Sequence, residues 1–177
     1  MACYSSCSSH GTSDGIVDDS GRLTKRPAAP LVWEEATAAR DGQDQVPALE
    51  VSRPVIQGVL DRSPQALLLI ARSADGTAAG FAAIESAPGR DNTTAQVSYI
   101  GVRPRLQGQG TGETLLLETR RRLKAAGYTT VELSVYADNR RATALYQRLG
   151  WQPVGPPTAH PKTGEPEQRY ELRLKQA

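Results

Sequence analysis

The segment Gln107-Gly108-Gln109-Gly110-Thr111-Gly112 joins a run that reads as a strand to one that reads as a helix. The strand side is Val97-Ser98-Tyr99-Ile100-Gly101-Val102; the helix side is Glu113-Thr114-Leu115-Leu116-Leu117-Glu118-Thr119-Arg120. Glycines at alternate positions strip the turn of side chains, so the backbone can approach a ligand closely. A helix that starts here points its free N–H groups back at the turn. Such a place binds phosphate through backbone donors and the helix dipole. A glycine-rich turn with no ligand accounts for one glycine easily and for this spacing poorly. The loop points to a phosphate-bearing cofactor.

The letters exclude the common nucleotide loops. A phosphate-binding NTPase loop ends in Gly-Lys-Ser/Thr, with the lysine on the phosphates and the hydroxyl on magnesium. Here Gly112 is followed by Glu113, and the next lysine is Lys124. A dinucleotide fingerprint needs G-x-G-x-x-G. Counted from Gly108, its third glycine position falls on Glu113. Glu132 imitates the ribose-binding acid by its distance from the loop, but without the fingerprint it is a decoy.

Another pattern does fit. Gln107-x-x-Gly110-x-Gly112 resembles the Q/R-x-x-G-x-G/A signature of the GCN5-related N-acetyltransferase (GNAT) family, with Ile100-Gly101-Val102-Arg103-Pro104 as its lead-in. A second block, Leu133-Ser134-Val135 through Asn139, Ala142, Leu145-Tyr146 and Gly150-Trp151, resembles the family's L-x-V, N-x-x-A, L-Y and G-F series. The two blocks occur in the family's order, separated by one helix and one strand. The resemblance is good from about Ala78 to Val154, weaker on both sides and absent before about Leu31.

Bulk properties agree with an enzyme domain. The length of 177 residues suits one domain with a real core. A net charge of +2 gives no reason to expect a nucleic-acid or membrane partner. No apolar run approaches the length of a membrane span; the longest, Ala66–Ala71, reads as a buried strand. Residues 1–30 are rich in Ser, Gly, Asp and Thr and read as a disordered tail, with 31–177 as a single domain. The tail has no apolar core of a secretory signal, so a cytoplasmic location is expected. Both cysteines, Cys3 and Cys7, lie in it beside His10, which argues against a disulfide framework, and no metal is expected.

Periodicity predicts the elements. Leu31-Val32-Trp33-Glu34-Glu35 reads as a first strand. Ser52 caps a predicted helix with Pro54 in its first turn, and Val55, Ile56, Val59 and Leu60 line one face. Leu67–Arg72 and Ala78–Glu85 form a hairpin through Asp75-Gly76, and Gln96–Val102 completes an antiparallel meander. A helix from about Gly112 to Ala126 carries Leu116, Thr119, Leu123 and Ala126 on one stripe. Its basic residues Arg120, Arg121, Arg122 and Lys124 read as a solvated face suited to the negative helix end. Thr130–Tyr136 should run parallel to Gln96–Val102 through a right-handed crossover. Asp138 or Asn139 caps a helix with Ala142, Leu145, Tyr146 and Leu149 on one face. Trp151–Val154 and Gln168–Leu174 read as closing strands, with His160 in the loop between them.

The resemblance implies an α/β (α+β) fold. Its mixed, mostly antiparallel sheet would have about six or seven strands, a splayed parallel pair and about four flanking helices. It also implies acetyl-CoA as co-substrate. Backbone N–H groups of Gln107, Gly108, Gln109, Gly110, Thr111 and Gly112 would hold the pyrophosphate. The pantetheine arm would lie beside Ile100, Gly101 and Val102, where a family bulge leaves backbone groups unpaired; a free N–H there polarises the thioester carbonyl. Asn139 matches the family's cofactor-contacting asparagine, besides being a helix cap, and Tyr146 its general acid. Where many members carry a glutamate base, this chain offers Gln96, Ser98 and Ser134; Ser134 in place of glutamate argues against a close relative of the ribosomal-protein N-terminal acetyltransferases. Glu85, Glu132 and His160 are reserve bases, an unassisted route is open, and the base stays unassigned. The expected activity is direct acetyl transfer to the primary amine of a small molecule. The alternatives are a protein or peptide amine and a non-catalytic acyl-CoA sensor. A homodimer is ordinary for the family. The early helical region shapes the acceptor site in the family, so the ambiguous segment 36–63 withholds the substrate.

Overall fold

The computed structural model describes residues 15–17, 28–41 and 49–174. In chain order these form β1 (Gly15–Val17), α1 (Ala28–Asp41), α2 (Leu49–Arg62), β2 (Leu67–Arg72), β3 (Ala78–Ser86) and β4 (Thr94–Val102). A single 3₁₀ turn, Pro104–Leu106, precedes α3 (Thr111–Ala125). Then follow β5 (Thr130–Tyr136), α4 (Arg140–Arg148), β6 (Gln152–Pro153), β7 (Thr158–Ala159) and β8 (Pro166–Arg173). The described strands make one mixed sheet in the order β1-β2-β3-β4-β5-β8-β6, with β7 also on β8. All pairings are antiparallel except β4 with β5. The expected mixed, mostly antiparallel sheet with four flanking helices is the fold observed.

Each face of the sheet buries its own core. On one side α1 and α2 supply Ala29, Val32, Ile56 and Val59 against Leu68, Ile70, Phe81 and Ala83 of the strands. On the other, Leu115, Leu116 and Leu123 of α3 and Tyr146 of α4 pack on Ala82, Ile84, Val97, Leu133 and Tyr170. Alternate strand residues thus serve opposite layers, as the two-residue repeat of a strand requires. The α3 stripe is Leu115, Leu116, Thr119 and Leu123; Ala126 lies at the C-cap and is exposed. The basic face of α3 is solvated as expected, with Arg121 and Arg122 both paired to Glu118.

Several local expectations are corrected. Leu31–Glu35 is the interior of α1, not a strand. A short apolar run cannot fix the element type by itself. Ala29, Val32 and Ala36 recur at helical spacing, and the alanine-rich flank favours helix. The second helix starts at Leu49, before Ser52, so Pro54 lies inside it and not in the first turn; Ile56 and Val59 are buried as read. The strand expected over Trp151–Val154 shrinks to Gln152–Pro153, because Pro153 has no N–H for a ladder and Gly155 turns the chain at φ +68°. Within the segment read as a disordered tail, Gly15–Val17 pairs with β2 as an edge strand, and α1 already begins at Ala28. The β-branched pair Ile16-Val17 suits a strand. Cys3, Cys7 and His10 lie outside the described residues.

The feature that creates the site is the parting of β4 from β5. Their parallel ladder spans Thr94–Val97 against Thr130–Leu133 and then stops. Beyond it, among the described residues, β4 pairs only with β3, and β5 only with β8. At the same point the β3 ladder slips: Ile84 faces Val97 and Ala83 faces Tyr99, leaving Ser98 as the extra residue of a bulge. A bulge bends its strand and raises the local twist, which carries the end of β4 away from β5.

Candidate functional site

The parted strands open a cleft of about 740 Å³ between the end of β4, the glycine loop and α4. Ile100, Gly101 and Val102 form its strand wall. Gln107, Gly108, Gly110 and Gly112 form its rim, and Asn139 and Tyr146 line the α4 side. Two expected residues are absent from this lining. Gln109 is exposed, with its side-chain amide donating to the Arg105 carbonyl, and Thr111 is turned into the core with 6% exposure. The hydrogen bond to Arg105 and the burial of Thr111 keep these two side chains out of the cleft.

The loop geometry fits a phosphate cradle. Gly110 is the N-cap of α3 at φ +87°, a left-handed conformation that side chains resist, and no side chain caps the helix. The first N–H groups of α3 are therefore left for a ligand at the rim. The N–H of Gln107 is not among the free donors: it donates to the Pro104 carbonyl at 3.2 Å. Gln107 works through its side chain instead. Its Nε2 donates to the Val102 carbonyl at 3.2 Å and its Oε1 accepts from Arg141 Nη1 at 3.1 Å. The glutamine thus ties the end of β4 to α4 across the loop.

Asn139 caps α4, its Oδ1 accepting from the Ala142 N–H at 3.1 Å, while it also lines the cleft. Tyr146 is 5% exposed. Its ring stands 6.0 Å from Trp151 and 5.8 Å from Tyr170. Burial, with a smaller contribution from Tyr170, pushes its phenol up to about 12. It is protonated throughout the physiological range.

The cleft also holds residues that sequence reasoning missed. Arg141 and Arg148 of α4 and Glu113 of α3 line it, with Ala142, Ala144 and Leu145. Arg148 Nη2 pairs with Glu113 Oε2 at 2.5 Å across the cleft. Arg141 has no carboxylate partner among the described residues and leans on Gln107 alone. The signal was present: basic residues directly after a capping asparagine, separated from the glycine loop in sequence by α3 and β5.

The reserve bases are all committed elsewhere. Burial raises Glu85, but hydrogen bonds from Arg62 and Ser98 and the charge of Arg62 more than offset it, holding the carboxyl below its ordinary range. Glu132 accepts from Arg90 Nη2 at 3.2 Å. His160 spends Nδ1 on its own loop, facing the N–H of Thr163 at 3.2 Å and the Thr163 hydroxyl at 3.1 Å. Ser134 is exposed on β5, and Ser98 donates to Glu85. Among the described residues no cluster of His, Cys, Asp and Glu could hold a metal ion, and no helix is long and apolar enough to cross a membrane.

A bulged strand splayed from its parallel neighbour, with a glycine loop running into a helix at the gap, defines a GNAT fold. The Acetyltransferase (GNAT) family model matches residues 30–151, and the chain belongs to that family. Over 87 residues it is 41% identical to the mycothiol acetyltransferase of Clavibacter michiganensis subsp. michiganensis (strain NCPPB 382), a match covering 49% of this chain and 27% of that protein. The chain thus spans about a quarter of the length of that curated relative. In fold it resembles the ribosomal-protein-S18-alanine N-acetyltransferase from Escherichia coli, with a TM-score of 0.69 at 23% identity, over 93% of this chain and 95% of that one. It also resembles yncA from Salmonella typhimurium, solved with its cofactor acetyl-CoA, with a TM-score of 0.66 at 16% identity, over 93% of this chain and 95% of that one.

Proposed function

We propose that this chain is an acetyl-CoA-dependent N-acetyltransferase that moves the acetyl group directly to the primary amine of a small molecule. The cleft at the β4–β5 parting carries the reading, because it sets a phosphate cradle and an unpaired strand edge side by side. Membership of the GNAT family supports acetyl-CoA as the donor. The name of the curated relative, a mycothiol acetyltransferase, supports a small-molecule acceptor over a protein.

In this reading the first N–H groups of α3 and the Arg141 guanidinium hold the pyrophosphate. The unpaired edge of β4 from Ile100 to Val102 receives the amide groups of the pantetheine arm. A free N–H of this edge polarises the thioester carbonyl. The amine nitrogen attacks that carbon, the C–S bond breaks, and the amine's surplus proton leaves to solvent. Tyr146, which lines the cleft, is the candidate hydrogen-bond donor to the departing sulfur. Complete proton transfer from a phenol at about 12 to a thiolate of ordinary pKa near 8.5 runs uphill by roughly 5 kcal/mol. Tyr146 therefore acts chiefly as a hydrogen-bond donor to the charge growing on sulfur, and the released thiolate takes a proton later from water.

The commitment of Glu85, Glu132 and His160 to other partners favours one rival, a non-catalytic acyl-CoA sensor. Incubation with acetyl-CoA and a panel of small amines, peptides and proteins, followed by free-thiol release, separates the readings. Turnover with a small amine supports the proposal. Turnover with peptides alone moves the acceptor to a protein. Tight coenzyme binding with no acceptor makes the chain a sensor, and absence of binding removes the cofactor assignment.

A further inference from the structure

Outside the cleft, the layer beneath α2 holds a charged lock. The Glu85 side chain, on β3, is 2% exposed. Arg62 of α2 grips its carboxylate twice, Nε to Oε2 at 2.8 Å and Nη2 to Oε1 at 2.7 Å. From β4 the Ser98 hydroxyl donates to Oε1 at 2.5 Å. Ser98 is the extra residue of the bulge, and the ladder to β5 ends one residue before it, at Val97.

The lock sits where a strand changes course. Two elements converge on the carboxylate, one carrying a cation and one carrying the bulged hydroxyl. The pair is buried on one side alone, since the Arg62 side chain is 54% exposed, and an ion pair whose cation meets solvent contributes little to stability by itself. Its value lies in fixing direction: charge-assisted hydrogen bonds are short and angular, whereas apolar contacts tolerate sliding. Losing the Ser98 bond frees the extra residue to move, and the β4 edge beyond it moves with it. That edge, Ile100 to Val102, is the strand wall of the cleft. The neighbouring Tyr99 ring stands 5.2 Å from Trp33 of α1, so the same stretch is braced from both early helices.

We propose that Glu85 and Ser98 are positioning residues: they set the bulge that parts β4 from β5 and so aim the free backbone groups of β4 at the thioester. Neither touches the reacting atoms. The inference rests on the acyl-transfer reading for its consequence in turnover, but its structural claim is independent of that reading.

The test compares Ser98→Ala, Ser98→Thr and Glu85→Gln with the wild type. Amide hydrogen exchange of the free protein is followed over residues 98–102 and, as a control, over the β2–β3 turn at 73–77. In Ser98→Ala and Glu85→Gln, exchange over 98–102 should quicken about tenfold while the control stays unchanged, as loss of one hydrogen bond to a charged group implies. The kcat should fall about tenfold with the KM for acetyl-CoA within about twofold, since the phosphate cradle is remote from the bulge. Ser98→Thr keeps the hydroxyl and should restore both. Unchanged exchange in Ser98→Ala overturns the proposal, and this variant keeps the test decisive where Glu85→Gln fails to fold. Faster exchange throughout the sheet, or kcat and coenzyme affinity falling together, overturns it also by making the contact a general prop. A wild type that neither binds acetyl-CoA nor turns over an amine defeats the acyl-transfer reading, while the exchange result still decides whether these residues set the bulge.

Discussion

Arg141 reaches from α4 back over the glycine loop, its Nη2 2.7 Å from where a Cβ on Gly108 would stand. The loop glycine and the cleft cation thus occupy one space, and only a residue without a side chain lets the guanidinium lie there. Substitution of Gly108 by Val should displace Arg141 and force a left-handed backbone, at φ +82°, onto a β-branched residue. Coenzyme A affinity should fall at least tenfold by isothermal titration. Undiminished affinity would remove both Gly108 and the position of Arg141 from the cradle.

Arg141→Gln isolates the cation from the glycine. Loss of a hydrogen bond between charged groups should weaken coenzyme A by about 1.5–3 kcal/mol, roughly 10- to 150-fold. Because Arg141 is exposed and its side-chain hydrogen bond among the described residues is to Gln107, the melting temperature should hardly move. The affinity loss should also shrink at high salt, where surface charge is screened. An equal loss at all salt concentrations would point to disturbed loop packing in place of phosphate recognition.

Tyr146→Phe should lower kcat by about 100-fold, the lower range for a positioned proton or hydrogen-bond donor, with acetyl-CoA binding within about twofold. The pH dependence is distinctive. A phenol held at about 12 gives no alkaline loss of activity near pH 10, so kcat should stay level into that region. Stability behaves differently. The unfolded phenol releases its proton near pH ~10 and the folded one only near 12, so the contribution of Tyr146 is intact below about 10 and is lost as pH rises between them. Chemical denaturation across this window should show a shallower decline in Tyr146→Phe than in the wild type. A rate that drops near pH 10 in the wild type and not in the variant would mean the phenol is not shielded.

Glu85 gives the opposite sign. Its carboxyl is held below the ordinary range, so its contribution is present above about pH 4.5 and is lost as pH falls through the lowered folded value. The stability gap between wild type and Glu85→Gln should therefore be widest near neutrality and narrow on acidification. A gap that stays constant from pH 7 to 3 would show the ion pair to be unimportant.

Asn139 tests cap against contact. Asn139→Ala should cost about 1 kcal/mol of stability through loss of the Ala142 N–H partner, read from urea midpoints. Asn139→Ser, which can still cap, should recover the stability. If coenzyme affinity stays low in the Ser variant, the amide itself touches the cofactor; if affinity recovers with stability, the cap is its whole role.

Much of the site could be read from the chain because it is local. The run from Val97 to Arg120 encodes strand, glycine loop and helix start within one continuous stretch, and the Asn139 cap is written three residues from its partner. Local backbone preferences and turn chemistry decide such features without help. The segment Leu31–Glu35 failed for the opposite reason. Five residues of mixed apolar and acidic type suit either element, and packing of Val32 beneath the sheet, not its immediate neighbours, holds it as helix.

By itself, then, the sequence determined the glycine loop: where the glycines fall, which helix they open and which tyrosine follows. Tertiary structure decided what each side chain is free to do. Glu85, Glu132 and His160 are equal as candidate bases in the sequence, and only folding reveals that Arg62, Arg90 and the loop at Thr163 have claimed them. Arg141 is one more surface cation in sequence, and lines the cleft only because α4 is set against the loop. A residue's type is local, but its partners come from segments far apart in the chain, and charge and proton affinity are set by those partners.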